Sequence, residues 1–133
     1  MGPKIISYRD LVVWQQAMDL ADLVYRITDK FPAQERFGLV VQMRKAAVSV
    51  PSNIAEGSRH RTPGYISRVV IALGEHAEVI ALGEHAELET QVLLGERRRY
   101  IDAIDMKRFN ALSKQVGELA HALSRSLEAL PEP

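Results

Sequence analysis

Apolar residues recur at intervals of three and four along most of the chain, which is the spacing of an amphipathic α-helix. Four segments show this spacing, at about residues 10–31, 33–57, 63–97 and 103–130. No segment alternates apolar and polar residues convincingly, so no sheet is predicted. On the first segment, the predicted core stripe consists of Leu11, Trp14, Met18, Ala21, Tyr25 and Thr28, widened by Leu20, Val24, Ile27 and Phe31.

The connections between these segments are short, which favours an all-α, up-down-up-down antiparallel four-helix bundle. Pro51 lies inside the second segment, and its missing amide predicts a kinked helix or two abutting helices there. Gly57 is the predicted C-cap of that segment, and Thr62 followed by Pro63 predicts the start of the third. A length of 133 residues suits a single domain covering residues 1–133.

The third segment contains the phrase VIALGEHAE twice in succession, as Val70–Glu78 and Val79–Glu87. At about 100° per residue, nine residues turn a helix by about 900°, which is half a turn out of phase. A continuous helix would carry the inward stripe of the first copy, which includes Ala77 and Ile80, onto Glu84, Glu87, Gln91 and Leu94. The second copy alone favours a different inward face, formed by Leu82, Ala86 and Leu93.

This conflict indicates a nine-residue tandem duplication inside the third helix, and it has two structural solutions. One copy can be extruded as a bulge near Gly74 or Gly83, where helix propensity is weakest. Alternatively, the helix is longer by about 13 Å and its second half faces a different partner. We expect the bulge, because it preserves the core.

Charge and composition add few functional signals. Lys plus Arg and Asp plus Glu number 17 each, so the whole chain does not favour an acidic partner. The absence of cysteine excludes disulfides and thiolate metal sites. The N-terminus lacks the apolar stretch of a signal peptide, and no window is long enough for a membrane span. We therefore expect a cytoplasmic protein that does not contact a membrane.

Basic residues form three clusters that are candidates for phosphate binding. Two lie at turns at opposite ends of the predicted bundle, and the third lies midway along the second helix. The candidate nucleic-acid-binding residues are Arg59, His60 and Arg61 at one turn, Arg97, Arg98 and Arg99 at the other, and Arg44 and Lys45 on the helix. The alternative interpretation is that these clusters are solvated surface.

Candidate chemistry is sparse. His85 and Glu89 are four residues apart and could ligate a metal, but the Glu-x-x-His spacing of di-iron bundles is absent. We interpret the His and Glu residues of the repeat as a solvated charged face copied twice. Ser49 and Ser52 have no histidine nearby in sequence. No enzymatic activity, catalytic residue, metal, cofactor or small-molecule substrate is therefore predicted.

Three stretches carry a family resemblance: YRDLVVWQQAMDLADLVYRITDKFP, ERFGLVVQMRKAAVSVPSNIAEGSRH and ALGEHAELETQ. They resemble the four-helix-bundle family encoded by intervening sequences of bacterial large-subunit ribosomal RNA genes. A related accessory protein of diversity-generating retroelements binds a reverse transcriptase and nucleic acid. The resemblance implies a homo-oligomer, most often a pentamer, without established enzymatic activity. Family members carry the ALGEHAELETQ-like phrase once, so the duplication is a departure.

Two functions follow as hypotheses. The first is a non-enzymatic oligomeric bundle that binds RNA or a ribonucleoprotein through basic patches. The alternative is a structural or protein-binding bundle without direct nucleic-acid contact. For the oligomer, the expected intersubunit residues are the valines outside the main stripes, Val12, Val13, Val40 and Val69.

Overall fold

The computed structural model describes residues 7–59 and 68–128, of which 59, 68–76, 78 and 124–128 are described by their backbone alone. The described residues form four α-helices and no strand. The helices are α1 (Val12–Thr28), α2 (Leu39–Arg59), α3 (Arg68–Arg97) and α4 (Ala103–Glu128), with short 3₁₀ turns at Tyr8–Asp10 and Ala33–Glu35. The prediction of an all-α chain with four helices is confirmed.

Each helix packs against its neighbours in chain order, and α4 closes the bundle against α1. The connection after α1 meets the connection after α3, because the rings of Phe31 and Tyr100 lie 5.1 Å apart. Lys30 Nζ also lies 2.9 Å from Asp105 Oδ2. We call this end of the bundle the Tyr100 end. The opposite end contains the 3₁₀ turn Tyr8–Asp10.

The buried face of α1 differs from the predicted stripe. It is formed by Val13, Ala17, Leu20, Ala21, Leu23, Val24, Ile27 and Thr28. Met18 and Tyr25, both assigned to the core by their spacing, are each 42% exposed. The prediction was wrong at these positions because α1 is apolar on two faces, and spacing alone does not show which face meets the bundle. Val13 and Val40 are buried in the core, so they are not intersubunit residues.

The second helix begins later and ends later than predicted. Residues 33–35 form a 3₁₀ turn, and α2 itself starts at Leu39 and ends at Arg59. Gly57 is a buried position inside the helix and not its C-cap. The Thr62–Pro63 start predicted for the third helix lies outside the described residues.

Pro51 lies within α2, which is assigned as one helix, so the alternative of two abutting helices is wrong. A proline at this position leaves the carbonyl four residues earlier without its amide partner. Polar side chains around Pro51 donate to nearby carbonyls, Ser52 Oγ to Val48 O and Asn53 Nδ2 to Ser49 O, both at 2.8 Å. The two acceptors are the carbonyls that directly follow the one that Pro51 leaves without an amide partner, which is the carbonyl of Ala47.

The third helix is continuous through both copies of VIALGEHAE, so neither copy is extruded as the expected bulge. Ala77 of the first copy is 4% exposed, whereas its equivalent in the second copy, Ala86, is exposed. Identical residues therefore face opposite sides, as a half-turn shift requires. A glycine costs a helix only about 1 kcal/mol, which is less than extruding several hydrogen-bonded residues would cost.

The inward stripe of α3 is neither of the two that the sequence predicted. It consists of Ala77, Ala81, His85, Leu88, Val92 and Gly95. Glu87 and Leu94 of one predicted stripe are exposed, and so is Leu93 of the other. The continuous helix avoids burying the glutamates by turning His85 inward, where α4 supplies a polar partner for it.

Candidate nucleic-acid interface

The turn between α3 and α4 contains the basic run Arg97–Arg99. Arg99 N donates to Glu96 O and Tyr100 N donates to Gly95 O, each at 2.9 Å. This pair of bonds is a Schellman motif, in which the residue after the helix adopts the left-handed conformation. Arg99 occupies that position with φ 63°, and it is the only described non-glycine residue with positive φ.

The left-handed conformation disfavours arginine. A side chain with a Cβ pays about 1–2 kcal/mol there relative to the right-handed region, and glycine is the usual residue. An arginine in this conformation makes the turn a candidate functional feature.

Apolar contacts fix the turn in place. Tyr100 packs on Phe31, and Ile101 is 7% exposed. A Cβ added to Gly95 would lie 3.1 Å from both Phe31 Cζ and Ile101 Cδ1, so the end of α3 approaches these side chains closely. The basic residues therefore project from an anchored turn.

The three arginines of the turn differ in their surroundings. Hydrogen bonding to Tyr100 and, more weakly, the charge of Glu35 raise the pKa of Arg98, whose guanidinium also lies 6.0 Å from the Tyr100 ring centre. The side chains of Arg97 and Arg99 are exposed and make no hydrogen bond or ion pair with the other described residues. Their guanidinium groups are available to an anionic partner such as phosphate.

Arg44 is already engaged by the fold. Its Nε donates to Thr28 Oγ1 and its Nη2 donates to Asp29 Oδ1, both at 2.9 Å. The guanidinium lies 4.6 Å from the ring centre of Tyr25. Arg44 thus connects α2 to the end of α1 through these three intramolecular interactions.

The remaining candidates divide by position. Because α2 starts at Leu39, Arg44 and Lys45 lie in its second turn at the Tyr100 end, and not midway along the helix as predicted. This places them at the same end as the Arg97–Arg99 run, and Lys45 is exposed. The side chain of Arg59 and all of His60 and Arg61 lie outside the described residues.

A buried polar cluster joins α3 to α4, and sequence reasoning missed it. His85 Nε2 lies 2.8 Å from Ser113 Oγ, and the Ser113 hydroxyl donates to Glu89 Oε2 at 3.2 Å. His85 Nδ1 faces Glu89 Oε1 at 3.8 Å. His85 is 7% exposed, so the interpretation of a solvated charged face is wrong at this residue.

The surroundings of the histidine in this cluster favour its neutral form. Burial lowers the pKa of His85 and outweighs the opposing effects of Glu89 and Ser113, while His121 lowers it further. Its Cε1 would lie 3.0 Å from a Cβ at Gly117, so the ring packs closely against α4. The feature of the sequence that could have indicated a buried His85 is a polar residue, Ser113, followed by a small residue, Gly117, on the inward side of α4.

The cluster resembles a Ser-His-acid arrangement, but Ser113 is 1% exposed. A serine closed to solvent cannot reach a substrate, so the trio joins two helices. Across the part of the chain that the structure describes, no group of three or more potential metal ligands comes together. Within the same residues, no helix is long and apolar enough to cross a bilayer.

Residues 9–125 match the family described as 23S rRNA-intervening sequence protein. The chain belongs to this family. The match spans all four helices and includes both the Arg97–Arg99 turn and the duplicated segment. No curated protein matches the chain at a significant level. Family membership confirms the resemblance, and it assigns no role to an individual residue.

Proposed function

We propose that this protein is a non-enzymatic, homo-oligomeric helical bundle that binds RNA or a ribonucleoprotein through the basic turn at the Tyr100 end. The observation that carries the proposal is Arg99, an arginine kept in a backbone conformation that favours glycine. Arg97, two residues before Arg99, is also exposed and gives the same turn a second free guanidinium. Lys45 adds a positive charge at this end of the bundle.

The net charge of one chain is zero, and this favours RNA binding by an oligomer over binding by a single chain. One chain has 17 basic and 17 acidic residues, so long-range attraction to RNA is weak. Several copies present several turns to one RNA, and linked contacts raise affinity without any new contact type. The pentamer implied by the family resemblance would present five such turns.

Salt dependence of RNA binding tests this function. Each phosphate contact contributes about 0.7 to the slope of log affinity against log salt for a single strand and about 0.9 for a duplex. Replacing Arg97 and Arg99 together by alanine should lower that slope by about 1.4–1.8 for each turn that contacts the RNA, while the melting temperature stays nearly constant. The matched control replaces Lys107 and Lys114, two exposed lysines of α4, and should leave the slope unchanged.

A second function is favoured by a specific surface. The groove between α1 and α2 exposes apolar side chains that a monomeric protein usually covers. A protein-binding bundle without nucleic-acid contact would use this groove alone. No RNA binding at low salt by the unmodified protein would select this second function. Unchanged RNA binding in the double-alanine variant would instead contradict the role proposed for this turn.

A further inference from the structure

The outward face of α1 forms an apolar groove with α2. Trp14, Met18 and Tyr25 line one wall, and Val48, Pro51 and Ala55 line the other, around a volume of about 420 Å³. Met18 and Tyr25 are each 42% exposed and Val48 is 44% exposed. These residues of α1 follow a second helical stripe, separate from the stripe that enters the core.

The outward face of α3 is a second apolar surface on the same chain. Val79 is 60% exposed and Leu93 is 53% exposed. The positions between them on this face are small and also exposed, namely Gly83, Ala86 and Thr90. The spacing alternates between four and three, so these side chains form one straight ridge along the helix. Small residues allow another helix to approach closely.

The α2 wall of the groove is opposite in charge to the ridge, and the two surfaces match in length. Asp22 of α1 also lines the groove. Residues 39–55 of α2 contain two positive residues, Arg44 and Lys45, and no negative one. Residues 79–95 of α3 contain three glutamates and no positive residue. This α3 segment is about 25 Å long at 1.5 Å per residue, as is the 17-residue helix α1 that forms one wall of the groove.

We infer that the groove between α1 and α2 receives the α3 ridge of a second copy of this chain. The contact is head-to-tail, because each copy contributes a different surface and keeps the other one free. The inference rests on the homo-oligomer proposed above and names the surfaces that build it. It also explains how a half-turn shift in α3 is tolerated, since the apolar residues turned outward by the duplication gain a partner.

Two variants, each disabling one surface, test the inference by molar mass in light scattering. Val48→Asp places a charge in the groove, and Leu93→Asp places one on the ridge. Both sites are half exposed, so each variant should fold, which circular dichroism checks. Each alone should be monomeric at a concentration where the unmodified protein is oligomeric. Ile104→Asp, at a 65% exposed position of α4, is the matched control and should keep the unmodified mass.

Mixing the two variants gives the decisive result. The Val48→Asp chain retains a ridge and the Leu93→Asp chain retains a groove, so an equimolar mixture should form a one-to-one dimer. A mixture that stays monomeric overturns the inference, as does a Leu93→Asp chain with unmodified mass or an unmodified chain that is monomeric. Mass is measured without RNA, so a failure of RNA binding leaves this test intact and the two proposals fail separately.

Discussion

Arg44 and Arg99 lie at the same end of the bundle in opposite circumstances. Arg44 gives two hydrogen bonds to the end of α1 and stacks near Tyr25, with only 30% of its side chain exposed. The side chain of Arg99 has no hydrogen-bond or ion-pair partner among the described residues, and its backbone holds a conformation unfavourable to it. One arginine stabilises the fold, and the other lowers its stability.

This difference separates structural from functional residues within one basic region. Charge alone placed both arginines among the candidate RNA contacts. The contacts of Arg44 explain its presence without a ligand, whereas the fold offers no explanation for Arg99. A residue that contributes to stability should affect unfolding when removed, and a residue kept for binding should affect binding.

The largest effect on the free energy of unfolding is expected for a substitution in α3. In this helix Leu88 is completely buried and Leu94 is 49% exposed. Leu88→Ala should lower the free energy of unfolding by about 2–5 kcal/mol, as a buried leucine does. Leu94→Ala should cost less than about 1 kcal/mol. Chemical denaturation measures both. Equal losses would contradict the inward stripe of α3 described above.

Arg44→Ala should have the next largest effect. The variant loses two hydrogen bonds and a cation–aromatic contact, of which the bond to Asp29 is largely exposed, so the expected loss is about 1–3 kcal/mol. Arg44→Lys keeps the charge but not the planar donor pair, and should recover only part of the stability. The salt slope of RNA binding should stay constant in both. A fall in that slope without loss of stability would make Arg44 a binding residue.

The helices could be predicted from the sequence, whereas the inward face of α3 could not, because it depends on contacts between distant residues. Helical periodicity and short connections were enough to predict four helices, and α4 begins at Ala103, where Asp102 accepts a bond from Asp105 N at 2.7 Å as its cap. Which face of α3 lies inward depends on a residue 28 positions away in the chain. The buried His85 has its polar partner in Ser113 of α4. No local pattern contains that information.

The candidate interface shows the same division. The run of arginines at residues 97–99 was visible in the sequence as a cluster of positive charge. The left-handed conformation of Arg99 accompanies the bonds from Arg99 N to Glu96 O and from Tyr100 N to Gly95 O. Tyr100 in turn packs on Phe31, a residue far from it in the chain. Likewise, the two apolar faces of α1 were visible, but which one enters the core depends on the other helices.

A pH titration of stability isolates the buried cluster, because neither arginine changes its charge near neutral pH. Burial lowers the pKa of His85 below its ordinary 6.5, so the unfolded chain binds a proton there before the folded chain does. Stability should fall as the pH drops from 6.5 through the lowered pKa. In His85→Gln, which keeps a polar side chain and does not titrate, this part of the acid dependence should disappear. An unchanged pH profile would contradict the neutral, buried histidine.

Arg99→Gly should give the smallest change in stability. The same variant also tests the proposed RNA contact of the turn most directly. Glycine relieves the left-handed strain, so the variant should be as stable as the unmodified protein or more stable, by up to about 1 kcal/mol. Arg99→Ala removes the same charge and retains the strain, which makes it the matched control for stability.

The decisive measurement is the salt dependence of RNA binding by the Arg99→Gly protein. Loss of one phosphate contact per chain should lower the slope of log affinity against log salt by about 0.7–0.9 for each turn that contacts the RNA. A folded, equally stable variant with this reduced slope is the result that the account predicts. An unchanged slope in that variant would mean that Arg99 does not contact RNA, and would contradict the proposed function of the turn.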